Sequence, residues 1–164
     1  MEGFSYPSPR AMTAVFEQVR RRSRKLLFEF LATVPRDDFV RSIPEAGDRS
    51  LRDVLVHLVG TNAYWISLLQ NRPQEPLRPD DLPTIESIVA VHEEVADRIH
   101  HVLANADEGW FTREETFSHP RGKTERLVPA WVTVHMLTHE FHHKGQIAMM
   151  ARILGYTPPD MDFI

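Results

Sequence analysis

The stretch Thr138-His139-Glu140-Phe141-His142-His143-Lys144-Gly145-Gln146 decides how this chain is read. It lies in a segment with helical patterning and places two histidines, His139 and His143, at i and i+4. At about 3.6 residues per turn, that spacing puts both imidazoles on one face of a helix, close enough to share one metal ion. His135 extends the same row by one turn, so the spacing offers two overlapping pairs, His135/His139 and His139/His143, and does not choose between them. His142 points about 100° away from His143 and is set aside as a ligand.

Working outward, the segment is one of four with a three- and four-residue apolar repeat. The first covers residues 10–34, with Met12, Phe16, Val19, Leu26, Leu27, Phe30, Leu31 and Val34, and stops at Pro35-Arg36-Asp37-Asp38. The second opens on Ser50-Leu51-Arg52-Asp53, a capping pattern, and continues to about residue 71. Leu51, Val54, Leu55, Leu58, Tyr64, Trp65, Leu68 and Leu69 form its stripe. The third starts near Pro83-Thr84, carries Ile85, Ile88, His92, Val95, Ile99 and Val102, and ends before Gly109. The fourth has Pro129 in its first turn and Gly155 past its end. Four amphipathic helices of about 20 to 26 residues, each ~30–39 Å long, predict an all-α four-helix bundle, with residues 1–164 as one domain.

Between the third and fourth helices, residues 110–128 predict a short irregular or β-hairpin-like excursion. Phe111-Thr112 to Thr116-Phe117 and Glu125-Arg126-Leu127-Val128 are the two candidate strands, on either side of Pro120-Arg121-Gly122-Lys123. After the fourth helix, Pro158-Pro159 cannot continue a helical run.

Composition narrows the chemistry. The chain has no cysteine, which excludes disulfides, thiolate ligands and a cysteine nucleophile, and fits a cytoplasmic protein. A formal net charge of −4 argues against nucleic acid or anionic membrane as partner. The run Arg20-Arg21-Arg22-Ser23-Arg24-Lys25 reads as a solvated helix face with Ser23 turned inward. No stretch approaches the roughly 18 uninterrupted apolar residues of a membrane span, and the first residues do not resemble a signal peptide.

His57 stands in Val56-His57-Leu58, inside the apolar stripe of the second helix, and a polar group buried there without a partner costs roughly 1–3 kcal/mol. A cation shared with the histidines of the fourth helix would satisfy all of them. Neutral imidazoles suit Zn²⁺, Ni²⁺, Fe²⁺ or Cu²⁺, and three protein ligands leave a position open for water or substrate. Gln146, three residues past His143, either orients an imidazole by hydrogen bond or fills a helix–helix contact. Asp53 either accepts a second N–H from His57 or only caps the helix. Gly145 predicts close approach of a neighbouring helix. His92, His100, His101 and His119 read as surface or packing residues.

The fourth-helix motif resembles the signature of the DinB/YfiT-like family, in which His-x-x-x-His-(Arg or Lys)-Gly-Gln follows a histidine of the second helix. Here that histidine lies in Leu55-Val56-His57-Leu58, with Tyr64-Trp65 beyond it. Gly155-Tyr156-Thr157-Pro158-Pro159-Asp160-Met161-Asp162 is similar to the family's ending, and the likeness covers nearly the whole chain. It implies a homodimeric four-helix bundle holding a divalent metal, Zn²⁺ or Ni²⁺ first, with Fe²⁺ or Mn²⁺ as alternatives. The implied ligands are His57, His139 and His143, with His135 outside them. Activities in the family include transferases and isomerases using low-molecular-weight thiols such as bacillithiol or mycothiol. The expectation is therefore a metal-dependent enzyme activating water or such a thiol for a small-molecule substrate. Its alternatives are a hydrolase, or a non-catalytic metal-binding stress-response module.

Overall fold

The computed structural model describes residues 7–72, 75–118 and 122–161. Its helices are α1 (Pro9–Leu31), α2 (Arg36–Phe39), α3 (Leu51–Leu69), α4 (Ile85–Asn105), α5 (Glu108–Thr112) and α6 (Pro129–Ile153), and its strands are β1 (Glu115–Ser118) and β2 (Thr124–Leu127). Local chemistry sets the starts of the long helices. Ser8 accepts a hydrogen bond from the Ala11 amide, Ser50 and Asp53 form a reciprocal capping box, and so do Thr84 and Ser87. Pro129 occupies the first turn of α6, where its missing N–H costs nothing.

Two expectations about the secondary-structure elements need correction. Residues Arg36–Phe39 do more than stop α1: they form α2, whose Phe39 side chain is buried in the core. Phe111-Thr112 belongs to α5 and not to a strand. Asp107 caps that helix by accepting the Trp110 amide at 2.9 Å, and burial of Phe111 fixes it to the bundle. The hairpin itself is present, antiparallel, with Phe117 opposite Glu125. Its predicted turn residues Pro120-Arg121, with His119, lie outside the described residues.

The order of the helices follows from which residues share a core. Leu27 and Leu31 of α1 meet Leu51 and Leu55 of α3, Ile88 of α4, and Ile147 and Met150 of α6 at one end. Leu69, Val95, Ile99, Val132 and Met136 gather at the other. Thus α3 and α4 run in the same direction, and α1 and α6 run against them. α6 packs between α1 and α3, and α4 closes the ring on the far side. Two consecutive parallel helices need a return connection, and residues 70–84 supply it: they must span the ~28 Å of α3, against ~50 Å available to an extended chain of that length. This connection lies against α3 at Gly60, where an added Cβ would come 3.6 Å from the Leu77 side chain.

The basic run is not a solvated face. Arg20 and Arg24 are only 2% and 1% exposed, and Glu17 and Thr13 lie on the same buried row. Arg20 donates to both carboxylate oxygens of Glu17 at 2.8 Å. Arg24 donates to both oxygens of Glu140 on α6 and, through Nη1, to His92 Nδ1 at 2.9 Å. Lys144 donates to Ser23 Oγ at 2.8 Å and to the Met161 carbonyl. Buried charges persist only when paired, and here the pairs cross between α1, α4 and α6. Ser23 is turned inward as its sequence context suggests, while Met12, Phe16 and Val19 are left only half-buried.

Candidate metal centre

Because α3 and α6 are antiparallel neighbours, the middle of one faces the middle of the other. That brings His57 onto His139 and His143, with ring centroids 5.2 and 4.7 Å away. The two α6 rings are 4.3 Å apart. Each of the three histidines offers one ring nitrogen, and these nitrogens all lie within 4.8 Å of one another. It is the one such histidine or carboxylate group found among the described residues. His57 itself is exposed, contrary to the expectation of a buried imidazole: α3 is buried on both sides of it, and His57 occupies the strip open to solvent. His139 is half-buried and His143 is buried, so the centre sits in a shallow recess.

The donor set fits a cation. Gln146 Oε1 lies 2.7 Å from His143 Nδ1, and its Nε2 lies 3.0 Å from His142 Nε2. The amide therefore takes the Nδ1–H of His143 and leaves the lone pair of His143 Nε2 free. That lone pair points at His139 Nε2, 3.0 Å away. Two imidazole nitrogens this close need a shared proton or a cation between them. Tetrahedral zinc, with bonds of about 2.0–2.1 Å, sets its ligand nitrogens ~3.3 Å apart, so small ring rotations suffice. Burial without a partner at His139 Nδ1 leaves one polar atom of the site open.

All three rings are held toward the neutral, metal-binding form. Desolvation pushes the His139 pKa down to about 4, helped by its neighbours His143, His57, His135 and His142. It also lowers His143 and His57, and the Arg49 guanidinium adds to both shifts. For His143 the hydrogen bond with Gln146 works the other way.

His135 stays outside the group: it is exposed, packs edge-on against Trp65 at 5.2 Å and lies 5.7 Å from His139. Asp53 spends its carboxylate on the Ser50 amide at 2.9 Å, with Arg52 3.6 Å away. His100 and His101 are exposed, whereas His92 is buried beside Arg24, and desolvation followed by that cation lowers its pKa to about 2. Gly145 is exposed, and an added Cβ there would meet nothing within 4 Å among the described residues, so the close approach expected of a neighbouring helix is not found within them. Beside His57 a cavity of about 230 Å³ is lined by Gly60, Thr61, Tyr64, Glu75 and Leu77. Glu75 and Arg49 escape a sequence reading because both lie in connections, where no periodicity marks a face.

No helix among the described residues is long and apolar enough to cross a membrane. A comparison with curated proteins gives no significant match. Among solved structures, a DinB-like protein from Bacillus cereus ATCC 10987 superposes with a TM-score of 0.68 at 16% identity, covering 88% of this chain and 93% of its own. YfiT from Bacillus subtilis, described as a probable metal-dependent hydrolase with an unusual four-helix bundle topology, gives a TM-score of 0.58 at 16% identity, covering 96% and 93%. At that identity the two structures speak to the fold alone, and they agree with the bundle found here. The family model of the DinB family matches residues 11–164, and with nearly the whole length accounted for, the chain belongs to the DinB family.

Proposed function

We propose that this protein is a metal-dependent enzyme in which His57, His139 and His143 hold one divalent ion that activates a small nucleophile, a low-molecular-weight thiol or water. The observation that carries the reading is the convergence of three neutral imidazoles in a solvent-open recess beside a cavity. Zn²⁺ and Ni²⁺ suit the donor set best, with Fe²⁺ and Mn²⁺ as alternatives. A divalent ion held there would supply Lewis acidity, which lowers the pKa of a water or thiol and makes it a nucleophile near neutral pH.

The chain's own residues supply the rest. Gln146 holds His143 in the tautomer that presents Nε2. The hydroxyls of Thr61 and Tyr64 and the carboxylate of Glu75 line the cavity beside His57, where they can orient a substrate and take up its proton. A thiol nucleophile must come from solution, because the chain has no cysteine. A second reading, hydrolysis by water, is favoured by the description of the structurally similar YfiT as a probable metal-dependent hydrolase.

Cobalt-loaded protein titrated with bacillithiol, mycothiol and glutathione separates these readings. The thiol reading expects sulfur-to-cobalt charge-transfer absorption, with turnover of an electrophile that needs both thiol and metal and is lost in His57→Ala. Metal-dependent hydrolysis in plain buffer, with no spectral response to thiols, assigns a hydrolase. Neither signal leaves a metal-binding module.

A further inference from the structure

Between α1 and α4 lies a cavity of about 340 Å³ that shares no lining residue with the one beside His57. α1 lines it with Arg21, Arg24 and Phe28, and α4 with Val89, His92 and Ala96, at steps of three and four residues on each helix. Arg24 and His92 are the deepest of these, at 1% and 4% exposure. Arg24 Nη1 donates to His92 Nδ1 at 2.9 Å. A guanidinium cannot accept, so Nδ1 carries the lone pair and the proton of the neutral ring sits on Nε2. Burial, and then the cations of Arg24, Arg20 and Arg21, lower the His92 pKa to about 2 and keep the ring neutral. Among the described residues that Nε2–H has no acceptor, and it is not one of the atoms sealed from solvent. Since His92 lines the cavity, its unused donor opens there, and a donor in so buried a place is costly unless something accepts from it.

The surroundings select the acceptor. Arg20, Arg21 and Arg24 share two carboxylates, Glu17 and Glu140, so one positive charge of the cluster is unmatched. Arg20 Nη1 is itself buried without an acceptor, 4.0 Å from Glu140. Arg21 donates through Nε to Glu17 at 2.9 Å and makes no other hydrogen bond among the described residues. At the mouth Lys25 and Glu29 offset each other at 3.8 Å, and the exposed Glu93 disfavours a second negative charge. Phe28, edge-on to His92 at 5.0 Å, joins Val89 and Ala96 in an apolar wall. A carboxylate answers all of this, because it accepts without donating and brings a single charge.

We propose that the seam between α1 and α4 is a second ligand site, taking a small monocarboxylate whose oxygens accept from His92 Nε2 and Arg21 and whose apolar body lies against Phe28, Val89 and Ala96. The volume is at the low end of pockets that bind small molecules and suits a body about the size of one ring. The site does not depend on the metal.

¹⁵N-labelled protein is titrated with benzoate and with neutral benzamide while the imidazole nitrogens are followed by NMR. The His92 signals are those missing from His92→Gln. They show the Nε2–H pattern without ligand, and benzoate shifts Nε2 saturably while benzamide binds about tenfold more weakly. Arg21→Gln, at an exposed position, weakens benzoate by about fivefold and leaves benzamide unchanged. Ala96→Leu, which fills the cavity without touching a charged group, removes binding of both. His143→Ala, which lacks a proposed metal ligand, binds benzoate as the wild type does, and so sets this site apart from a carboxylate on the metal. An Nδ1–H pattern at His92, no saturable shift with benzoate, or benzamide binding equally well overturns the assignment. So does benzoate binding lost in His143→Ala, or unchanged in both Arg21→Gln and Ala96→Leu.

Discussion

Glu140, the residue after His139, accepts both arms of the Arg24 guanidinium, so the turn of α6 that carries the candidate ligands is tied to α1 by a buried ion pair. Both side chains are at most 1% exposed. Removing one partner leaves the other charged and desolvated, at a cost of about 3–5 kcal/mol. Glu140→Ala and Arg24→Ala should each lower the stability measured by urea unfolding by that amount. The pair Arg24→Met with Glu140→Leu should recover most of the loss, since an apolar pair of similar volume often matches a buried salt bridge. Simple addition of the two single losses would show that the side chains act independently.

His92 makes stability depend on pH. Burial first, and then the cation of Arg24, hold its folded pKa at about 2 against the ordinary imidazole value of 6.5. The unfolded chain therefore binds a proton between those values that the folded chain refuses. Stability from neutral His92 is complete above about pH 6.5 and falls as the pH drops toward the folded pKa, by up to about 1.4 kcal/mol per pH unit. His139, also held low, adds to the same slope in metal-free protein. In metal-free protein, His92→Gln, which keeps an acceptor for Arg24, should flatten the decline in urea midpoint between pH 6 and 4. An unchanged slope would mean that His92 is not buried neutral.

Gln146 is the residue whose removal should separate positioning from coordination. Its amide fixes the tautomer of His143 at 2.7 Å. Gln146→Ala should weaken Zn²⁺ binding by about 10–100-fold without abolishing it. Glu in its place, which keeps the acceptor oxygen, should restore most of the affinity. Calorimetric titration checks both, and an affinity equal to wild type in Gln146→Ala would remove Gln146 from the site.

An exposed stripe along α6 is where we propose that two copies of the chain pair, as the family resemblance leads one to expect. Trp131, at 76% exposure, lies in one row with Val134, Met149 and Ile153, and Gly145 sits within that row. A mid-helix glycine costs roughly 1 kcal/mol relative to alanine, and none of the described residues comes within 4 Å of a Cβ placed there. A second copy packed through the same stripe would gain from that close approach, and a two-fold interface is self-complementary by construction. Light scattering should give twice 19.0 kDa for the wild type and the single-chain mass for Trp131→Glu. A wild type that runs as a monomer at micromolar concentration contradicts the proposed dimer.

The four long helices were legible because each carries a periodic apolar face and a recognisable start, such as Ser50 with Asp53 or Pro129. The His57, His139 and His143 grouping needed more. Spacing alone admits His135 equally; the family resemblance implies His57, His139 and His143, and the antiparallel packing of α3 on α6 is what puts His57 opposite that pair. The charged core is hidden from a reading by residue type, because the position of Arg20 and Arg24 on the helix, and not their charge, decides their burial. Thr13, Glu17, Arg20 and Arg24 continue, at three- and four-residue steps, into the row of Leu27 and Leu31. Their partners Glu140 and His92 are far away in sequence, so no local pattern announces them. Residues Arg36–Phe39 and Glu108–Thr112 form helices too short for periodicity, each made by a buried phenylalanine, with a local cap at the second.

The central claim is that His57, His139 and His143 hold one ion, and metal content tests it most directly. Protein purified without chelator, incubated with Zn²⁺ and dialysed, is measured by elemental analysis beside His143→Ala, His142→Ala and His135→Ala. The account predicts about one divalent ion per chain in the wild type, in His142→Ala and in His135→Ala, and a near-complete loss in His143→Ala. A metal-free wild type that cannot be loaded, or a greater loss in His135→Ala than in His143→Ala, would contradict it.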